Sequence, residues 1–163
     1  ALEVEQGPTR AEKEGSKHEP MEDTQNFAMA LSQAQYLRAI KNGKEILDEC
    51  KSDVACYLKA INDPKNNQRE TATKGEKAAY MAALLGGDDV KMKLVEMLPK
   101  VRNPGVTEII LYALLNKSPK GDPAVEKKLQ DYVDEAADSR DAEKIDETKG
   151  YKQIIYRLQA RKS

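Results

Sequence analysis

The residues whose type and spacing most directly suggest chemistry are the chain's two cysteines, Cys50 and Cys56. On one continuous helix, residues six apart point in directions about 240° apart, so their sulfurs could not bond. Ser52-Asp53 predicts a helix start between them, because Ser52 can cap and Asp53 adds negative charge to the first turn. A chain that turns here can form a disulfide across the corner, and two buried thiols are the alternative. The spacing matches neither a redox motif nor a zinc site.

Tyrosines and basic residues are candidates for binding. Three tyrosines fall outside the apolar stripes of their predicted helices, which indicates exposure. From Thr148 onward the chain has five basic residues and no acid. A basic stretch that contains an aromatic residue is typical of nucleic-acid-binding proteins. The alternative is that these charges form a solvated face of the terminal helix. The candidate partner-binding surface consists of Tyr36, Tyr80, Lys152, Tyr156, Arg157 and Arg161.

Catalytic and metal-binding patterns are missing from the sequence. The only histidine, His18, has no second ligand or orienting partner near it in the sequence. Glu108 is the only acid in an apolar stretch, and we expect it to reach water from the early turns of a helix rather than act as a general acid. Phosphate-binding glycine loops, paired-histidine helices and nucleophile elbows are absent. We therefore expect a protein that is not an enzyme and has no cofactor and no metal ion.

Composition predicts an all-α fold. The abundant Ala, Leu, Lys, Glu and Met favour helices, and no segment shows the alternation of a strand. The net charge of −1 provides no global field for nucleic acid, and no apolar run reaches the ~20 residues of a membrane span. Residues 1–24 are predicted to be a disordered acidic tail or linker, and residues 25–163 one helical domain. A disulfide would favour an exported or periplasmic location, and free thiols a cytoplasmic one.

Helix boundaries follow from turn and cap residues. Asn42-Gly43 predicts the end of the first helix, and residues 63–74 a mobile surface loop. Asn103-Pro104 and Asp122-Pro123 each combine a cap with proline in the first helical position. The stretch Val106–Leu115 is apolar nearly all round, so it is predicted to be a central helix covered by its neighbours.

Similar segments recur along the chain. Ala82–Leu85 matches Tyr112–Leu115 at an offset of 30 residues, and Val95–Leu98 matches Gln130–Val133 at an offset of 35. A drifting period of this size with two helices per unit is typical of an α-solenoid. An irregular helical bundle is the alternative architecture.

Three segments, Glu76–Gly86, Asp89–Pro99 and Asn103–Leu115, resemble the HEAT-like (armadillo-type) α-helical repeat family. The resemblance covers roughly Ser52 to Arg161. It implies antiparallel helical hairpins stacked as a short α-solenoid, most often a scaffold that binds partners along its surface. We therefore expect a non-enzymatic module that binds another protein. The alternative is a nucleic-acid-binding HEAT-like protein that uses the basic C-terminal helix.

Overall fold

The computed structural model describes residues 20–67 and 73–161. Within these ranges every regular element is a helix, which confirms the all-α prediction. Most of the predicted N-terminal tail, with His18, lies outside the described residues. The α-helices are α1 (Pro20–Cys50), α2 (Val54–Ile61), α3 (Lys74–Leu85), α4 (Asp88–Met97), α5 (Pro104–Asn116), α6 (Pro123–Ser139), α7 (Ala142–Glu147) and α8 (Lys149–Ala160). Short 3₁₀ turns occupy Pro64–Asn66 and Leu98–Lys100.

Helix α1 differs from its predicted bounds at both ends. It begins at Pro20 and continues through Asn42-Gly43 to Cys50. A glycine inside a helix costs about 1 kcal/mol relative to alanine. Ile46 and Cys50, which follow the glycine, are buried in the core. Their packing outweighs the local preference of the glycine, so the helix does not stop there.

The corner between α1 and α2 lies where the sequence predicted a turn. Lys51 adopts the left-handed conformation with φ of 53° and ends α1. Asp53, rather than Ser52, caps α2 and accepts a hydrogen bond from the backbone N–H of Cys56 at 3.3 Å. The Tyr57 hydroxyl donates to the Lys51 carbonyl at 2.5 Å, which ties the corner to the core.

The polar connection after α2 is structured in its described part. The Asn66 side-chain amide donates to the Ala60 carbonyl at 3.1 Å, and the Asn67 amide donates to the Ile61 carbonyl. Both bonds satisfy carbonyls at the C-terminus of α2, which have no partner within the helix. The first residues of the predicted mobile loop therefore act as a helix cap.

Helix α5 is the central element, as predicted from its apolar sequence. It packs against α3, α4 and α8. Its buried residues are Val106, Ile110, Leu111, Ala113, Leu114 and Leu115. Only the strip that contains Glu108 and Tyr112 remains exposed.

Helices α3 and α5 lie side by side and run in the same direction. At their N-termini, the Asn103 amide donates to the Thr73 hydroxyl at 3.4 Å. At their C-termini, the Lys117 ammonium donates to the Gly86 carbonyl at 2.7 Å. A side chain at Gly105 would overlap the Glu76 carboxylate, so glycine permits the close approach.

Helix α8 packs against α5 and runs in the same direction. The Arg161 guanidinium, just after α8, donates to the carbonyls of Leu115 and Ser118 near the end of α5. Gly150, in the first turn of α8, lies against Leu111. Helices α3, α5 and α8 therefore form one row of parallel helices, here called the first row.

Helices α4 and α6 are also parallel neighbours, and form the second row. The Lys91 ammonium pairs with the Asp122 carboxylate at 2.5 Å, and the Tyr132 hydroxyl donates to the Val95 carbonyl at 3.1 Å. Burial alone would raise the pKa of Asp122, but bonds from Lys91 and the Val125 N–H outweigh it and lower that pKa.

Candidate partner-binding surface

A disulfide joins Cys50 and Cys56 across the α1–α2 corner. The Cα atoms of the two residues are 5.4 Å apart, within the range that a disulfide requires. The sequence left open whether the two cysteines form a disulfide or stay as buried thiols, and the structure contains the disulfide. The bond fixes the end of α1 to the first turn of α2.

Helices α1 and α3 pack antiparallel next to this corner. The Lys74 ammonium pairs with the Glu45 carboxylate at 2.8 Å, and Gly43 lies against the Lys77 side chain. Extending this register by whole turns places Ile40 level with Tyr80, and Tyr36 level with Leu84.

Tyr36, Ile40, Tyr80 and Leu84 form a surface that we call the α1–α3 patch. Their side chains are between 50% and 68% exposed. The Lys77 ammonium lies 5.2 Å from the centre of the Tyr80 ring, a cation–π contact that adds positive charge at the edge of the patch. Neighbouring large apolar side chains at this level of exposure are typical of surfaces that bind other proteins.

A groove of about 730 Å³ lies further along the first row, between α5, α6 and α8. Leu111, Tyr132, Tyr151 and Ile154 line its apolar part. The Tyr132 and Tyr151 rings meet edge to face, with their centres 6.2 Å apart. The base of the groove is therefore aromatic.

Charges of both signs surround this groove. Arg102, Lys144 and Arg157 line it together with Glu108 and Glu135. Burial, and then the charge of Glu147, raise the pKa of the Tyr151 phenol to about 12. The groove therefore offers a neutral phenol and several separate charges to a polar ligand or a partner side chain.

The structure separates the six residues of the predicted surface into two groups. Tyr36 and Tyr80 both belong to the α1–α3 patch. Lys152, Tyr156 and Arg157 are exposed on α8, at the other end of the first row.

Arg161, the sixth predicted surface residue, is partly buried and bonded to two backbone carbonyls. These bonds show a structural role for the guanidinium. A partner contact at this residue stays a prediction. Glu108 is exposed, as its position early in the helix predicted.

Two residues of the patch, Ile40 and Leu84, were not predicted from the sequence. Ile40 was not among the predicted surface residues, yet its side chain is 53% exposed. Leu84 was not singled out. A sequence signal for it exists, because Ala78, Ala79 and Ala82 form the packed face of α3 and place Tyr80 and Leu84 on the opposite side.

The described part of the chain has neither a helix suited to a membrane nor a side-chain cluster suited to a metal ion. In this part of the chain, no helix combines the length and apolarity needed to cross a membrane. Over residues 20–67 and 73–161, no three His, Cys, Asp or Glu side chains are grouped closely enough to hold a metal ion.

No protein-family model matches the sequence, and neither a curated protein nor a solved structure is significantly similar to it.

Proposed function

We propose that this chain is a short HEAT-like α-solenoid that binds a partner protein through the α1–α3 patch and catalyses no reaction. The observation that carries the binding proposal is the patch itself. It consists of four large apolar side chains from two helices, each at least half exposed. Exposing them to water is unfavourable by about 25 cal/mol per Å² of apolar surface, and a bound partner would remove that cost.

The solenoid proposal is supported by contacts that recur at nearly constant sequence separation. Asn103, the cap of α5, bonds to Thr73, the cap of α3, across 30 residues. Asp122, the cap of α6, pairs with Lys91 of α4 across 31 residues. One helix pair of the first row and one of the second row are thus related by nearly the same sequence separation. Repeated nearest-neighbour contacts of this kind are the defining feature of a solenoid.

The binding proposal is tested by comparing variants in a partner-capture experiment. The wild-type chain, a Tyr80→Ser/Leu84→Ser variant and a Tyr156→Ser control are immobilised and exposed to an extract of the source organism. Tyr156 is a suitable control because it is 74% exposed and lies on α8, away from the patch. We expect the same protein to be retained by wild type and control and to be lost from the patch variant. Equal retention by all three would refute the patch as the binding site.

A nucleic-acid-binding function is the second candidate, because Lys152, Tyr156 and Arg157 are all exposed on α8. Phosphate contacts make such binding strongly dependent on salt. An electrophoretic shift with single-stranded DNA and RNA at low ionic strength is the direct test. A shift that is lost in Lys152→Ala/Arg157→Ala and at high salt would replace the protein-partner proposal. A chain that causes no shift at low salt would eliminate this second candidate.

We further propose that the protein resides in an oxidising compartment outside the cytoplasm. The support is the Cys50–Cys56 disulfide, a bond that persists in exported proteins and is rare in the cytosol. Cells can be lysed in an alkylating reagent and the protein analysed by mass spectrometry. Alkylated Cys50 and Cys56 in freshly lysed cells would contradict the proposal.

A further inference from the structure

The groove between α5, α6 and α8 contains two phenol oxygens that can accept hydrogen bonds. The Tyr132 hydroxyl donates its proton to the Val95 carbonyl at 3.1 Å, so its oxygen can take part in a further bond only as an acceptor. Tyr151 is only 5% exposed, and its hydroxyl makes no hydrogen bond to the described part of the chain. Polar groups of buried side chains usually have a partner, so a ligand that supplies one is favoured here.

Carboxylates that line the groove act on both phenols. Burial first, then Glu147 and then Tyr132 raise the pKa of Tyr151. Burial first, then Glu96 and Glu135 raise the pKa of Tyr132. Of these carboxylates, Glu135 lines the groove from α6 and Glu147 lines it from the end of α7. The phenol oxygens therefore lie in a negative field, which favours a cation beside them.

Three basic residues line the same groove but leave its base to the carboxylates. The Arg102 guanidinium donates to the Pro99 carbonyl at 3.2 Å, and Lys144 and Arg157 are exposed. The charges that shift the pKa of the two phenols come from acidic residues. A cation at the phenols is thus complementary to the charges that act there.

Apolar side chains extend the site away from the phenols. Leu111 of α5 and Ile154 of α8 line the groove, and both are at most 8% exposed. An alkyl chain that packs against them removes apolar surface from water. Lysine combines such a chain with a terminal ammonium group, and it commonly places the chain on apolar surface with its charge at a polar position.

The size of the groove favours a lysine that is part of a peptide. The volume of about 730 Å³ lies in the range of sites for drug-sized ligands and exceeds what one alkylammonium ion fills. Exposed charges of both signs, among them Arg102 and Glu108, line the remaining part. These charges can contact the residues that flank the lysine in a peptide.

We propose that this groove binds a lysine side chain of a peptide segment from another protein. The ammonium group donates to the Tyr132 and Tyr151 oxygens and to a neighbouring carboxylate, and its three N–H groups allow all three bonds at once. The alkyl chain packs against Leu111 and Ile154. The groove does not include residues of the α1–α3 patch, so the failure of either binding proposal leaves the other in place.

An NMR titration of the full chain with a blocked pentapeptide, a central lysine between alanines, tests the site. The ring resonances of Tyr132 and Tyr151 are expected to shift and to reach saturation. Acetylation of the lysine Nζ removes the charge and is expected to weaken binding by at least about tenfold. Equal affinity for both peptides, or no shift up to the solubility limit of the lysine peptide, would overturn the proposal.

Two further ligands test the alternatives. A pentapeptide with glutamate in place of lysine is expected to bind more weakly, and tighter binding would identify an anion site at the three basic residues instead. n-Butylamine has the ammonium group and the alkyl chain without peptide groups, so it is expected to bind more weakly than the lysine peptide. Equal affinity for n-butylamine would mean that the site takes a free amine, which would contradict the peptide as its ligand.

Matched variants test the role of the carboxylates. Glu135→Gln/Glu147→Gln is expected to weaken binding of the lysine peptide by at least about tenfold. Glu49→Gln/Glu143→Gln removes the same charge from exposed residues that do not line the groove, and is expected to bind like the wild type. Equal affinity of the two double variants would contradict the proposed site. Circular dichroism of each variant verifies that the domain remains folded.

Discussion

Arg161 shows that a basic side chain near the end of a chain can hold the fold together rather than contact a partner. Its guanidinium donates to the carbonyls of Leu115 and Ser118, both of which belong to buried residues. Arg157, one turn earlier on the same helix, is exposed. The sequence assigned both arginines to one surface, because it does not show which of them lies beside the end of α5. Only the structure reveals that Arg161 does.

Replacing each arginine by alanine separates the two roles. Arg161→Ala leaves buried carbonyls without a charged donor and is expected to lower the free energy of unfolding by about 1–2 kcal/mol. Arg157→Ala is the control and is expected to change it by less than about 0.5 kcal/mol. Urea unfolding followed by circular dichroism measures both. Equal stability of the two variants would contradict the capping role of Arg161.

Tyr151 makes the stability depend on pH in alkaline solution. Burial is the main reason why its pKa is raised to about 12 in the folded chain, whereas a tyrosine in the unfolded chain has a pKa of about 10. The folded state thus favours the protonated phenol. Its contribution is complete below the unfolded pKa and is lost as pH rises from about 10 to about 12, where the unfolded chain binds fewer protons.

Tyr151→Phe is expected to reduce this alkaline loss of stability by up to roughly 2 kcal/mol, because phenylalanine cannot ionise in the unfolded chain. Urea unfolding at a series of pH values from neutral to strongly alkaline measures the slope. Tyr156→Phe removes an exposed phenol and should leave the slope of the wild type unchanged. Parallel slopes for Tyr151→Phe and wild type would show that the buried phenol is not responsible.

At the scale of elements, the sequence predicted the starts of α5 and α6 better than the end of α1. Asn103 and Asp122 cap α5 and α6 as predicted, since each accepts a hydrogen bond from a first-turn N–H, at 2.8 and 3.2 Å. A start depends on the cap residue and its own backbone, so it is visible locally. The predicted end at Gly43 was wrong, because whether a helix continues depends on how its later residues pack. That packing is not visible in the sequence.

Two helices end at residues with unusual backbone geometry. Lys51 after α1 and Arg140 after α6 have φ of 53° and 57°, a left-handed conformation in which a side chain costs about 1 kcal/mol. Both side chains are exposed. Lys51→Gly and Arg140→Gly are therefore each expected to raise the free energy of unfolding by about 0.5–1 kcal/mol.

Thermal and urea unfolding of these glycine variants measure the effect. Lys152→Gly is the matched control, because Lys152 is exposed inside α8, where glycine is expected to lower stability by about 1 kcal/mol. Opposite signs for the two classes of position are the expected result. Destabilisation at Lys51 and Arg140 as well would mean that these residues act through their side chains rather than their backbone.

For the whole molecule, local similarity between segments indicated which helices lie side by side. The match between Ala82–Leu85 and Tyr112–Leu115 corresponds to the pairing of α3 with α5. The α1–α3 patch could not be predicted in the same way, because it depends on the register in which α1 packs antiparallel against α3. That register is set by the α1–α2 corner and by the contact between Gly43 and Lys77, two residues that are far apart in sequence.

Helix α5 links the two ends of the molecule, because it contacts α3 on one side and α8 on the other. Leu114 is fully buried in α5, whereas Tyr112 on the same helix is 52% exposed. Leu114→Asp buries a carboxylate without a partner of opposite charge. It is expected to lower the free energy of unfolding by more than about 4 kcal/mol, which is a large part of the stability of a typical domain.

We expect Leu114→Asp to lose far-UV helicity and hydrogen-exchange protection in α3 and α8 together. Tyr112→Asp makes the same chemical change at the surface and should cost less than about 1 kcal/mol. Protection that survives in α3 while α8 unfolds would show that the first row consists of independent units. Joint loss of protection at both ends would show that α5 makes them one cooperative structure, as its contacts on both sides require.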